Sequence, residues 1–258
     1  MKKFLLTGLC LCMALLGFAQ GKPTLGVENF SGSIPENALN HLRKNVMNGA
    51  LQSNRVVVVD VNDMGTAGNY DAFLRCTVDG VRLKPAEIID GKGNKRPGMQ
   101  CYMDYTLSVI NAANGQVIRQ ESFTAYGEGH REGDAVNSCV SWSENKPVKN
   151  FFLNAFPLGG TIVAVDEADA KKVKSVYIDL GSDAGVVKGQ KLEVFKVIDI
   201  AGATSTKQIG ELKIEEVMGG NRSLCKVTKN GEGILVEINN GTPLVVETKE
   251  AKTNFLGF

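Results

Sequence analysis

Apolar residues recur along this chain with two different periods, and the place where one gives way to the other divides it. TLGVENF at 24–30 is a short apolar run, SGSIPEN follows, and then Leu39, Leu42, Val46 and Ala50 step by three or four residues. Such steps line one face of a helix, with Ser33 suited to its cap and Pro35 to its first turn. RVVVVDV at 55–61 is β-branched and apolar over the length of a strand, the pattern of a strand buried on both faces. Strand, helix and strand in so short a span predict a crossover unit with parallel strands.

Strict alternation comes next. DAFLRCTVDGVRLK at 71–84 and QCYMDYTLSVI at 100–110 place apolar residues on one side only, as half-buried strands do. Between them PAEIIDGKGNKRPGM, 85–99, is expected to be a mobile loop rich in Gly, Lys and Pro. AANG at 112–115 joins the second strand to QVIRQESFTAYG, a hairpin turning through Asn114-Gly115. GEGHREG reads as a polar loop, and helical spacing returns from Asp134 to Phe156, broken by Pro147. Residues 22–157 are therefore expected to form a mixed α/β domain.

After the linker FPLGG the helical period is gone. TIVAVDE, KSVYIDL, QKLEVFKVIDI, KQIGELKIEEV, SLCKVTK, GILVEI and PLVVET are short runs rich in Val and Ile between Gly and Asn turns. Six or seven strands without a helix predict a small closed all-β barrel over 158–248, followed by a loosely ordered tail at 249–258. The fold class expected for the whole is α+β.

Composition narrows the setting. The chain has 258 residues, 43% hydrophobic and 22% charged, as globular proteins do. Its 29 Lys and Arg against 28 Asp and Glu leave no overall field to draw in nucleic acid, which is not expected as a partner. The opening MKKFLLTGLCLCMALLGFAQ has two lysines, an apolar stretch and the small residues Gly17 and Ala19, the layout of a secretory signal peptide over 1–20. Leu9 and Leu11 stand before Cys10 and Cys12, where lipid attachment wants a small residue. No later stretch is apolar for long enough to span a bilayer. The mature chain is expected in the periplasm or at the outer membrane, without a transmembrane segment.

Four cysteines remain beyond the leader, Cys76, Cys101, Cys139 and Cys225, widely spaced and without the paired spacing of a zinc site. Cys76 and Cys101 alternate with apolar neighbours, so both belong to buried strand faces. They are small core residues or, in an exported protein, candidates for a disulfide among Cys76, Cys101 and Cys139. Of the two histidines, His41 lies on the first helix and His130 among Glu128, Glu132 and Asp134, a loop that is either solvated or a metal or general-base cluster. GSDAGVVKG at 181–189 lacks the lysine, the spacing and the following helix of a phosphate loop. Its Gly181, Gly185 and Gly189 are expected instead to let the chain turn sharply between strands, with Val186 and Val187 plugging a barrel end. Lys171, Lys172 and Lys174 cluster without interleaved aromatics, as on a strand edge guarded against aggregation.

VYIDLGSDAGVVKGQKLEVFKV, followed by IGELKIEEVMGGNRSLCKV, resembles the carboxyl-terminal barrel of the flagellar assembly protein T family, over about residues 160–247. LGVENF, VVVVD, AFLRCTVDGV and LSVINAANGQVI, over 22–157, resemble the α/β domain of the TolB amino-terminal, curli-secretion CsgG-like and penicillin-binding-protein-activator lipoprotein families. The resemblance implies scaffolding or assembly work in a bacterial envelope, with no catalytic residues and no cofactor. The membrane-barrel hairpins of a curli pore are missing. The expectation is a non-enzymatic protein that binds envelope proteins, a homo-oligomer being compatible with this; the alternatives are a docking regulator of a peptidoglycan-synthesis enzyme and a secreted hydrolase or metal enzyme.

Overall fold

The structure, a computed structural model, describes residues 22–61, 69–89, 91, 93–142, 146–200 and 203–251. The leader at 1–20 and all but the first residues of the tail lie outside the described residues. Contacts divide the chain into two units, one of Pro23–Phe156 joined by Ala251, the other Pro157–Glu250.

In the N-terminal unit, β1 (Thr24–Val27), α1 (Glu36–Ser53) and β3 (Val57–Asp60) form the crossover, with β1 and β3 parallel. The sheet continues from β1 to β4 (Ala72–Ile89), β5 (Lys95–Asn111) and β6 (Val117–Gly129), the last three antiparallel, and the short β2 (Ser31–Gly32) pairs with β4. Gly115, at a φ of 69°, makes the turn between β5 and β6 and donates its N–H to Asn111. α2 (Glu132–Trp142) and α3 (Lys146–Ala155) follow, with Pro147 in the first turn of α3, where a missing N–H costs nothing.

One apolar core joins the three helices to one face of the sheet. Leu42, Val46 and Ala50 of α1 meet Leu74, Met103, Tyr105 and Leu107, and an aromatic chain runs from Tyr105 through Phe123 and Phe151 to Phe152. Each large side chain buried here stabilises the unit by about 1.5–3 kcal/mol. Gly127 in β6 lets α2 rest on the strand backbone, since a Cβ there would lie 2.2 Å from the Cys139 amide nitrogen.

Four expectations change in this unit. Ser33 does not cap α1; Pro35 precedes the helix and its carbonyl accepts from Ala38 and Leu39. β3 is an edge strand and not a doubly buried one, with Val57 half exposed; an apolar β-branched run looks alike in both settings. Residues 85–89 and 95–99 are no loop but the far end of the β4–β5 hairpin, in register from Pro85 opposite Met99 to Ile89 opposite Lys95. The GEGHREG loop shrinks to two residues, because β6 runs to Gly129 and α2 begins at Glu132.

The sequence pattern also hides an arginine on the buried face of α1. Arg43 grips both oxygens of Asp60, and its Nε and Nη2 reach the carbonyls of Glu28 at 3.0 Å and Val27 at 2.7 Å. It thereby ties helix, β1 and edge strand together through charge-assisted bonds.

The C-terminal unit is a closed barrel of β7 (Gly159–Ala168), β8 (Val173–Ile178), β9 (Lys191–Ile200), β10 (Ala203–Val217), β11 (Ser223–Lys229) and β12 (Leu244–Thr248), in the order β10-β11-β8-β7-β12-β9 and closing between β9 and β10. Val176, Ile178, Leu192, Val194, Leu212, Ile214, Cys225 and Val246 fill it. The barrel unit is not all β. GILVEI belongs to α4 (Gly231–Asn239), whose cap Asn230 accepts from the Gly233 N–H. Ile234, Leu235 and Ile238 turn toward the barrel core at helical spacing, which a β-branched composition disguises as a strand. No helix among the described residues is long and apolar enough to cross a membrane.

Candidate interaction surface

Alternation in β4, β5 and β6 gives the N-terminal sheet a second face, and no described helix of this unit covers it. Register then decides which polar groups become neighbours. Tyr102 stands opposite Tyr126, Asp104 opposite Thr124, Thr106 opposite Ser122, Ser108 opposite Gln120, and Gln100 opposite Glu128. Every one of these cross-strand pairs is in contact. Thr124 donates to Asp104 at 2.6 Å, Gln100 to Glu128 at 3.1 Å and Ser108 to Gln120 at 3.3 Å, while the Thr106 and Ser122 hydroxyls lie 3.0 Å apart. Thr106 also donates to Asp79 at 2.7 Å, bringing in β4.

Tyr102 and Tyr126 form the centre of the face. Their rings are 5.2 Å apart and tilted, and two cations of β4 sit over Tyr102, the Arg82 guanidinium at 5.8 Å and the Lys84 ammonium at 5.6 Å. Arg82 is held at its other side by Asp104, 3.0 Å away. Tyr126 donates to the Glu128 carboxylate, and burial followed by that bond pushes its phenol above the ordinary range. The hydroxyl therefore stays a donor. Aromatic rings flanked by arginine on a stiff sheet have the chemistry of a protein-binding surface.

The face extends into a ribbon. β2 stops opposite Val78 and β6 stops opposite Met99, so beyond those points β4 and β5 pair, among the described residues, only with each other. Lys84, Lys95 and Arg96 outnumber Glu87 there, and the Lys95–Glu87 pair at 3.2 Å is exposed on both sides. Ile89, near the tip, is 65% exposed.

The glycines of GSDAGVVKG lie in the barrel unit, between β8 and β9. Gly185 and Gly189 have φ of 80° and 87°, the left-handed region where side chains are strained. Gly181 is different. A Cβ there would lie 2.3 Å from the Gly219 carbonyl oxygen, so it serves close approach and not a turn. The N–H groups of Ser182 and Asp183 donate to Gly219 and Gly220, and that of Gly189 to Ile214. Donors that a ligand loop would aim outward are thus engaged by protein carbonyls. Val186 is buried whereas Val187 is 58% exposed, so one valine of the two fills the barrel end.

His130 is exposed, its Nδ1 3.4 Å from the Pro97 carbonyl oxygen. Glu132 and Asp134 are drawn into the first turn of α2. The barrel brings together what the sequence keeps apart, Lys172 and Lys174 of one segment with Lys226 and Lys229 of β11, around a groove of about 460 Å³. Lys174 and Lys229 are engaged there by Glu167 and Glu211. The four cysteines are buried thiols in this structure. Burial raises each of them, Cys225 to about 12.

No protein-family model matches the chain. No curated protein matches it either. Solved structures with partial likeness include the PelC dodecamer from Paraburkholderia phytofirmans, 14% identical over 52% of this chain and 87% of that chain, with a TM-score of 0.33. A protein from Xanthomonas campestris is 12% identical over 52% of this chain and 83% of its own, at 0.35. A lipoprotein from Neisseria meningitidis is 13% identical over 42% and 84%, at 0.31. Likenesses so remote transfer neither an activity nor a partner.

Proposed function

We propose that this chain is an exported, non-enzymatic protein of a bacterial cell envelope that binds other envelope proteins and helps assemble or stabilise a complex. The observation that carries this reading is the uncovered sheet face on which Tyr102, Tyr126 and Arg82 are pre-positioned by cross-strand pairing. Rigid aromatic and arginine side chains give binding energy at low cost in conformational freedom. The signal-like leader at 1–20 and the resemblance to flagellar assembly protein T, TolB amino-terminal and CsgG-like families support an envelope setting. Partners in that setting are other envelope proteins or further copies of this chain.

Photo-crosslinking amino acids placed at Thr124 and at Ile89, in intact cells, test the reading by mass spectrometry of the adducts. The expected result is one shared envelope partner from both positions, lost when Tyr102→Ala and Arg82→Ala are combined. Adducts unaffected by that double substitution would remove the face from the binding site. Turnover of a substrate by purified protein, abolished by a single substitution, would overturn the non-enzymatic part.

A further inference from the structure

Cys101 and Cys139 are far apart in sequence but meet on the inner face of the N-terminal sheet. Cys101 lies in β5, paired across to Gly127 of β6, and the α2 backbone at Cys139 rests on that same glycine. The close approach brings Cys139 Sγ to 3.0 Å from the Cys101 carbonyl oxygen and 3.6 Å from that of Ala125. Both residues are fully buried. Cys76 lies on the same face but stands opposite Leu107, well along β5 from Cys101. At about 3.3 Å per residue that separation is roughly 20 Å. A disulfide needs Cα atoms within about 7 Å, so Cys76 is out of reach of both.

We propose that Cys101 and Cys139 form a disulfide in the exported protein, joining β5 to α2, while Cys76 and Cys225 stay thiols. The oxidising surroundings rest on the export reading above; the pairing itself rests on the geometry. In the reaction one cysteine thiolate attacks a sulfur of glutathione disulfide and expels a glutathione thiolate. The second cysteine thiolate attacks the mixed disulfide and expels the other. Two protons and two electrons leave the protein, and two glutathione molecules result. Thiols sealed between sheet and helix are closed to glutathione, so the bond forms before α2 docks and is shielded from reductant afterwards. It then restrains the chain segment that carries β6 and its hairpin turn.

The test is to refold the purified chain in a glutathione redox buffer, denature it, alkylate without reduction and map the peptides by mass spectrometry. The expected outcome is a Cys101–Cys139 linked peptide with Cys76 and Cys225 alkylated. Chain unfolded and refolded in reductant should melt lower than the oxidised chain by on the order of 10 °C, and the difference should vanish when Cys101→Ala and Cys139→Ala are combined. Four alkylated cysteines, or a bond to Cys76, would overturn the proposal whatever the variants do. A linked peptide in the test tube with free thiols in cells would count against export and leave the pairing intact.

Discussion

Each of the six strands of the C-terminal barrel has a neighbour on both sides, whereas in the N-terminal sheet β3 and β6 have one neighbour apiece among the described residues. Closure hides the barrel's apolar face inside and leaves no free ladder of N–H and C=O groups along its sides. The open sheet buries one face under three helices and leaves the other to solvent, with edges and a ribbon besides. The closed sheet has no free strand edge, whereas the open one has β3 and β6 at its edges among the described residues. The two units should therefore respond differently to damage.

Gly127→Val should have the largest effect. It drives a side chain into the α2 backbone, and the N-terminal unit should lose roughly 4 kcal/mol or more, failing to show its own transition in calorimetry while the barrel still melts. A parental melting profile would refute the close approach. Asp60→Ala comes next, because it leaves the buried Arg43 guanidinium without its counter-charge, a loss of about 3 kcal/mol confined to the N-terminal transition. Gly185→Val strikes the barrel instead and should cost about 1–3 kcal/mol, since its φ of 80° strains a β-branched residue. Unchanged thermal stability in that variant would remove the turn argument.

A smaller effect distinguishes the barrel by pH. Glu211 is hydrogen-bonded by Lys249 and then Lys229, which lower its carboxyl to about 2. The unfolded chain would titrate near 4.3, so this stabilisation is present above about that pH and disappears as pH falls toward 2. Glu247, raised by burial and by Glu193, acts in the opposite direction as it protonates. The expected result is a barrel Tm that drops between pH 5 and pH 2.5, with a shallower drop in Glu211→Gln. Equal slopes would show that the lysines contribute nothing. Smallest of all for stability is Tyr102→Ala, within about 0.5 kcal/mol, a surface change whose cost should appear in partner capture and not in melting.

Much of this contrast is legible from periodicity. Alternation marks the inner residues of β5, such as Met103 and Leu107, and puts Tyr102 and Tyr126 together on the opposite face. Counting outward from the Asn114-Gly115 turn misses that pair by one residue, because a bulge between Val109 and Ile110 shifts the register. Where the reading fails, local pattern and tertiary position disagree. The 85–99 segment contains Pro85, Pro97 and three glycines and so looks like a loop, but a two-stranded ribbon tolerates proline on its free sides. Arg43 follows Leu42 on the first helix, and nothing local says that its partner is Asp60. α4 is the clearest case, since its isoleucines favour strands in composition while Asn230 and the spacing of Ile234 and Ile238 specify a helix.

The barrel begins and ends at one spot. Leu158 and Thr248 exchange hydrogen bonds, the Leu158 N–H to Thr248 Oγ1 at 3.0 Å and the Thr248 N–H to the Leu158 carbonyl at 2.9 Å. A few residues outside that junction, Asn154 and Ala251 of the N-terminal unit clasp each other through two further bonds, at 2.9 and 2.7 Å. The barrel's two ends are thus fastened to each other, so its chain enters and leaves at one place and the unit shuts like a purse drawn at the neck.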